Sequence, residues 1–363
     1  MNARKKRQDR ESRNTLAMTR IMIYAIFIVL IGVLVILIYP IVKIKMSSSV
    51  HLRADTFTNM EVKRLYEHVE NLSVRIGSRN FHEYDKLAQA ENYIKEVLEN
   101  TGCAYKLQSY EYKGKIFKNI IVTLPGQGSD DGAVIIGAHY DTVLGTPGAD
   151  DNASAVAVLL EICRLMRDHK PLRTLRFVFF TLEEPPLFRS RHQGSYVYAS
   201  HLKENNEAVH AMLCLEMVGY FNSKEGGQTF PVPGMSRLYS STPDFISIVG
   251  NLKSRALVEK VRDSIKRGST INVEGIATVS YVPGVDFSDH RSFWKMGYPA
   301  VMITDTAFYR NPNYHRESDT IDTLDFVKMA SLLKGLVNAS VELANAAPTN
   351  PEINRPPAGG RRY

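Results

Sequence analysis

Four side chains able to bind metals or move protons fall close together in residues 134–155, which read VIIGAHYDTVLGTPGADDNASA. They are His139, Asp141, Asp150 and Asp151. The stretch opens on an apolar, strand-type run and ends on a polar turn that feeds a helix-like segment from Ala153. Acids and an imidazole gathered where a buried strand ends repel one another and resist ionisation unless a positive charge holds them. A metal ion is the natural candidate. Thiolates do not contribute, because Cys103, Cys163 and Cys214 are too few and too unevenly spaced for a disulfide framework or a cysteine-type zinc site. Cys163 lies on an apolar helix face and Cys214 in an apolar strand, and both read as core residues.

The elements that must position these groups follow from hydrophobic periodicity. Helical patterns cover 59–70 and 84–99, the second with Leu87, Ala90, Ile94 and Leu98 on one face and Gly102 just beyond it. Strand-type runs follow at 105–112 and 119–124. Strands and helices then alternate: strand 134–138, helix 153–167, strand 175–181, helix 193–202, strand 209–216. Further on come strand 245–249, helix 254–267, helix 289–296, strand 300–303 and a last helix, 322–346. The irregular stretches 217–243 and 280–288 read as loop insertions. This order predicts a three-layer α/β domain over 58–347, with a mixed, mostly parallel sheet between helices.

In such a sheet, ligands bind beyond the carboxyl ends of the strands. Read there, the chain offers His139 and Asp141 after one strand, Glu183 and Glu184 after the next, Glu216 after the third, and His315 in the late loop NPNYHRESDT. Any one of these alone would read as an ordinary solvated residue. Imidazoles and carboxylates without thiolate suit Zn²⁺ or a similar divalent ion. Pro185 and Pro186 should end the ladder and let the adjacent Glu183 and Glu184 converge instead of pointing to opposite faces. Asp150 reads as a turn or capping residue, Asn152 or Ser154 as the helix cap, and Asp289 and His290 as framework.

In order, GAHYDTV, GADDNASA, FFTLEEPP, LCLEMVGY, SDHRSFW and YHRESDTIDT resemble the di-zinc exopeptidase family of bacterial leucyl aminopeptidases and glutamate carboxypeptidases, over roughly residues 60–345. The resemblance implies two zinc ions per chain bridged by Asp151, one completed by His139 and Glu216, the other by Glu184 and His315. It implies that Glu183 is the general base for an attacking water activated between the ions, and that Asp141 fixes the tautomer of His139. It also implies a non-proline cis peptide at Asp151–Asn152. Many aminopeptidases of the family have Asp where this chain has Glu216, so the preference for a substrate's end does not transfer with the motif. Tyr281 and Arg291 are candidate substrate contacts, and Arg291, Arg310 and Arg316 could hold a terminal carboxylate.

Of 363 residues, 44% are hydrophobic and 23% charged, as in a globular protein. The net charge of +7 does not indicate nucleic acid, since residues 1–20 hold seven Lys/Arg against Asp9 and Glu11, a net +5 that leaves +2 for the remainder. Residues 21–42 are uncharged and almost wholly apolar, long enough to cross a bilayer core of roughly 30 Å as one helix. The positive charges before it predict a cytoplasmic tail at 1–20, an uncleaved anchor at 21–42, a stalk at 43–57 and an extracytoplasmic catalytic domain. Residues 348–363 lack the apolar content to fold. The expected activity is a membrane-anchored zinc exopeptidase acting on peptides, foremost an aminopeptidase. Three alternatives are a di-zinc carboxypeptidase, a single-zinc glutaminyl-cyclase-like transferase and a non-catalytic, receptor-like ectodomain. The oligomeric state is not legible.

Overall fold

The computed structural model describes residues 18, 22–24, 26–27, 59–128 and 132–346. Most of the expected membrane helix 21–42, the stalk 43–57 and the tail 348–363 lie outside the described residues. Among the described residues, no helix is long and apolar enough to cross a membrane.

In chain order the elements are α1 (Asn59–Val69), α2 (Tyr84–Asn100), β1 (Tyr105–Tyr112), β2 (Lys115–Leu124), β3 (Ala133–His139), α3 (Ala155–Met166), β4 (Leu175–Phe180), α4 (Gly194–Glu204), β5 (Val209–Glu216), β6 (Phe245–Asn251), α5 (Arg255–Gly268), β7 (Asn272–Thr278), α6 (His290–Lys295), β8 (Ala300–Thr304) and α7 (Phe326–Asn345). The strands form one sheet in the order β1-β2-β4-β3-β5-β8-β6-β7. Its centre, β4-β3-β5-β8, is parallel, while β1, β2 and the β8–β6 pair run antiparallel.

The all-buried β3 serves both faces because successive side chains alternate. Val134, Ile136 and Ala138 join the core formed with α1, α2, α3, α5 and α7, and Ala133 and Ile135 join the core under α4 and α6. Helix α3, AVAVLLEICRLM, is buried almost all round, since it lies between the sheet, α1 and α7. Cys163 and Cys214 are fully buried core residues, as their surroundings in sequence suggest.

The structure adds one strand to the expected set. NVEGIAT at β7 pairs in parallel with β6 and forms the sheet's edge; its Asn, Glu and Gly mask the strand pattern. Helix α7 starts at Phe326 instead of 322, because Asp325 caps it by accepting from the amides of Val327 and Lys328 at 3.1 and 3.0 Å. Residues 321–323 form a separate 3₁₀ turn. The segment 217–243 holds only a 3₁₀ turn at Met235–Arg237.

Phe177, fully buried in the main core on β4, gives a direct check on this layer. Phe177→Ala is expected to cost about 3–5 kcal/mol, measured by urea unfolding of the metal-loaded protein; a loss below 1 kcal/mol would contradict the packing.

Candidate metal centre

The carboxyl ends of β3, β4 and β5 meet at one rim of the sheet. His139 is the last residue of β3 and Glu216 the last of β5. Glu183 and Glu184 follow β4 by a few residues, and His315 comes from the loop after β8. Asp151 sits in the turn Ala149–Ser154 ahead of α3, with non-helical φ −103° and ψ 88°. All are buried except His315, which is partly exposed.

These side chains converge. His139 Nε2 lies 3.4 Å from Asp151 Oδ1 and 3.4 Å from Glu216 Oε2, while His315 Nε2 lies 3.2 Å from Asp151 Oδ2 and 3.5 Å from Glu184 Oε1. The donor atoms therefore form two groups sharing Asp151: His139, Asp151, Glu216 and Asp151, Glu184, His315. His139, Glu183 and Glu184 make a third, overlapping set. Ligand atoms about 2.0–2.2 Å from a tetrahedral zinc stand roughly 3.3–3.6 Å apart, which matches these separations closely. In addition, His139 Nε2, Asp151 Oδ1 and Glu183 Oε1 are buried without a hydrogen-bond partner, a costly state that a cation relieves. The donor set fits zinc.

The electrostatics point the same way. Burial, together with the charge of Asp151, pushes Glu184 up to about 8. Burial likewise raises Glu183 well above the carboxylate range, with Glu184, Asp289 and Glu216 adding to it. Burial opposes charge on His315, but hydrogen bonds to Asp151 and Glu184 outweigh it and carry the imidazole to about 10. Asp151 is burdened by burial yet falls below its ordinary value because both histidines face it.

Asp141 faces His139 and does a second job as well. Its carboxylate accepts the amides of Glu183 and Glu184, both at 3.0 Å. The Nδ1 of His139 faces both the Asp141 main-chain carbonyl at 3.1 Å and the Asp141 carboxylate at 3.5 Å. A donating Nδ1–H leaves the Nε2 lone pair for the centre. The two glutamates converge because neither is on the strand: β4 stops at Phe180, and Leu182 turns the chain in a left-handed conformation, φ 58°. The Pro185–Pro186 peptide that follows is cis, and so is Asp151–Asn152.

Asp150 sits in the same turn as Asp151, as expected, and its side chain does not cap α3. It is fully buried and accepts from the Gly219 amide at 2.9 Å and from Asn311 Nδ2 at 2.8 Å. Ser154 holds the N-cap position of α3 without a side-chain capping bond; Asn152 spans the Leu215 carbonyl and the Met217 amide, and Ser154 Oγ donates to the Asp150 carbonyl. Asp289 and His290 stay in the framework, the first held by Gln193 and the second by the Val285 carbonyl. Tyr281 is exposed. Sequence reasoning missed Asp319, which accepts the amides of Asp150 and Asp151 at 2.9 and 3.1 Å, and Ser288, which donates to Glu216 at 2.5 Å. It also missed Tyr314, whose ring stacks on His315 at 3.7 Å, and the buried Arg79.

Residues 119–338 match the profile described as peptidase family M28. The chain belongs to peptidase family M28. Membership places it among the zinc metallopeptidases. It is similar to the uncharacterized protein YfbL of Escherichia coli (strain K12), 39% identical over 284 residues that cover 76% of this chain and 86% of that protein. It is also similar to leucine aminopeptidase 1 of Blastomyces gilchristii, 27% identical over 66% of this chain and 60% of the relative, so it spans well under two thirds of that protein's length. In fold, the M28 chain resembles BSAP, a zinc aminopeptidase from Bacillus subtilis, with a TM-score of 0.62 at 15% identity over 81% of this chain and 97% of that one.

Removing the metal from this M28 centre has a predictable sign. Glu184, raised to about 8 from an ordinary value of 4.5, contributes fully below the lower value and loses its contribution as pH climbs to the upper. His315, raised from 6.5 to about 10, likewise loses its contribution across that higher window. The chelated protein should therefore melt at progressively lower temperature from roughly pH 5 to 9, with Zn²⁺ restoring most at the alkaline end. Scanning calorimetry with and without chelator checks this, and a metal-free form most stable near pH 9 would refute it.

Proposed function

We propose that this chain is a membrane-anchored exopeptidase that uses two zinc ions to remove residues from the free amino end of peptides. The observation that carries the reading is the pair of donor groups hinged on Asp151, spaced 3.2–3.5 Å from atom to atom. Zinc held there supplies Lewis-acid charge that polarises the scissile carbonyl and acidifies the attacking water. Glu183 does the proton work: its buried, unpartnered Oε1 takes the proton from that water and passes it to the leaving amine. Asp141 holds the main chain of Glu183 and Glu184, fixing the base relative to the ligands. Tyr314, whose phenol is pushed up by burial and by the nearby carboxylates, stays protonated beside His315 as a neutral donor.

The amino-end preference rests on what surrounds Glu216. The adjoining pocket is walled by Met235, Phe245, Val249, Ile276, Met302 and Phe308, and among the described residues no Lys, Arg or His lines it. Two of the arginines that could have held a terminal carboxylate are engaged elsewhere. Arg310 is buried on Gln228 and the Phe245 carbonyl, and Arg291 pairs with Asp286. The carboxypeptidase reading loses support accordingly. A single-zinc cyclase would not need His139 and Glu216 beside Asp151, and a receptor-like relative would not need the base. The membrane anchor at 21–42, with the catalytic domain extracytoplasmic, rests on the apolar run and its basic flank.

Glu183→Gln is expected to keep both zinc ions and lose about 10²–10⁴-fold in turnover, read by metal analysis beside kinetics; unchanged turnover would remove Glu183 as base. His139→Ala should lower zinc from two to one per chain and abolish hydrolysis, whereas one zinc in the parent protein and full activity in the variant would favour the cyclase. Peptides with free amino ends should be cut and blocked ones spared, and the reverse pattern would overturn the end preference. Deleting residues 1–42 should move the protein from the membrane fraction to the soluble fraction; retention on membranes would refute the anchor.

A further inference from the structure

Arg79 is fully buried, the first among the largest buried side chains of the molecule. Every hydrogen bond of its guanidinium ends on a main-chain carbonyl. Nε donates to Tyr140 at 2.8 Å, Nη1 to Leu72, Gly77 and Pro147 at 3.1, 3.0 and 2.8 Å, and Nη2 to Gly148 at 3.0 Å. Its own backbone is pinned as well: the Arg79 amide donates to Thr142 Oγ1 and the Thr142 amide to the Arg79 carbonyl, both at 3.0 Å. Residues 140–148 make up most of the chain between His139 and Asp151. They have no strand partner, and their buried carbonyls must find donors elsewhere.

We propose that Arg79 is a positioning residue of the metal centre: it clamps the loop between His139 and Asp151 onto the turn after α1, and its buried charge balances the carboxylates. The inference rests on the zinc reading of the site. A flat guanidinium with donors fanned over one plane can serve carbonyls from two segments, which a lysine ammonium on a single nitrogen cannot. A buried arginine that bonded a carboxylate would spend its charge on that partner. Here the charge is left to act on the cluster as a whole, and Asp141, Asp319, Asp151 and Glu184 all favour it. Burial lowers the guanidinium to about 10, so it remains charged at neutral pH.

The clamp has a second jaw on the other side of the loop. Asp319 accepts the Asp150 and Asp151 amides, and its carbonyl accepts the Ala149 amide at 3.2 Å. Gly148 lies between the jaws at φ 62°, where an added Cβ would stand 2.5 Å from the Asp151 carbonyl oxygen. Asp151 thus has little freedom to relax once either jaw is removed, so loss of Arg79 should reach the ligand that both ions would share.

The test uses the full-length protein, Arg79→Met to remove donors and charge, and Arg79→Lys to keep charge without the fan. Zn²⁺ affinity is measured by competition with a chromophoric chelator, the centre's geometry by the visible spectrum of the Co²⁺-loaded form, and stability by melting of the metal-free form. Arg79→Met is expected to bind Zn²⁺ about ten- to hundredfold more weakly with an altered Co²⁺ spectrum, and Arg79→Lys to recover part of the affinity. A Met variant that melts lower but keeps the parent's affinity and spectrum would reduce Arg79 to a structural residue and overturn the proposal. Failure of both variants to fold at saturating Zn²⁺ would do the same. A parent protein that takes up no zinc would instead sink the metal-centre reading on which this one stands.

Discussion

The rim of the sheet buries more carboxylates than its side chains can neutralise, and the architecture around the centre answers that constraint. Asp150, Asp151, Glu183, Glu184, Glu216, Asp289, Asp305 and Asp319 are all buried within a few loops of one another. An uncompensated buried carboxylate costs several kcal/mol, so each must be hydrogen-bonded, protonated or matched by a cation. The acids divide between these solutions. Asp141, Asp150, Asp305 and Asp319 accept main-chain amides. Asp151, Glu183 and Asp289 each keep an unpartnered oxygen, as does His139 its Nε2. The second group marks where positive charge has to enter.

The first group also solves a backbone problem. The parallel ladder carries the chain only as far as the pairs His139↔Phe180 and Glu216↔Thr304. Beyond them the loops that bear the candidate ligands have amides with no strand to donate to. Asp141 collects the amides at 183 and 184, Asp319 those at 150 and 151, and Asp305 those of Tyr220 and Ala307. Arg79 performs the complementary service for carbonyls. The charged side chains near the centre thus replace the missing ladder, and the loops gain defined positions without regular structure.

This division explains what was legible in the sequence. The alternation of strands and helices gave the layers, and the acids and histidines at strand ends stood out because their positions follow from the fold class alone. Residues whose role is to bond main chain had no such signature. Arg79 lies in the turn segment RIGSRN, and its partners at 140, 147 and 148 are more than sixty residues away. Asp319 reaches amides 168 and 169 residues distant. Asp141 faces His139 Nδ1 with its carboxylate as well as its carbonyl, and only the fold brings up the amides of Glu183 and Glu184 that the same carboxylate accepts. Of the two cap candidates Ser154 holds the position, while Asn152 is drawn off to β5, where the end of the strand offers both a carbonyl and an amide.

Glu216 joins the metal centre to the apolar pocket, because it lines the pocket and also faces His139. The pocket walls come from three irregular segments that bond to one another. Thr229 donates to the Tyr309 carbonyl at 2.8 Å, Tyr309 Oη to the Pro283 carbonyl at 3.0 Å, and Gln228 Nε2 to Thr306 Oγ1 at 2.9 Å. Arg310 fastens this set to β6 through the Phe245 carbonyl and packs over the Phe245 ring. Walls that bond to one another need little further ordering around a ligand, so little binding energy goes to ordering loops. Arg310 therefore supports the wall without lining the cavity itself, and among the described residues no Lys, Arg or His lines it; the amino-end preference proposed above depends on that arrangement.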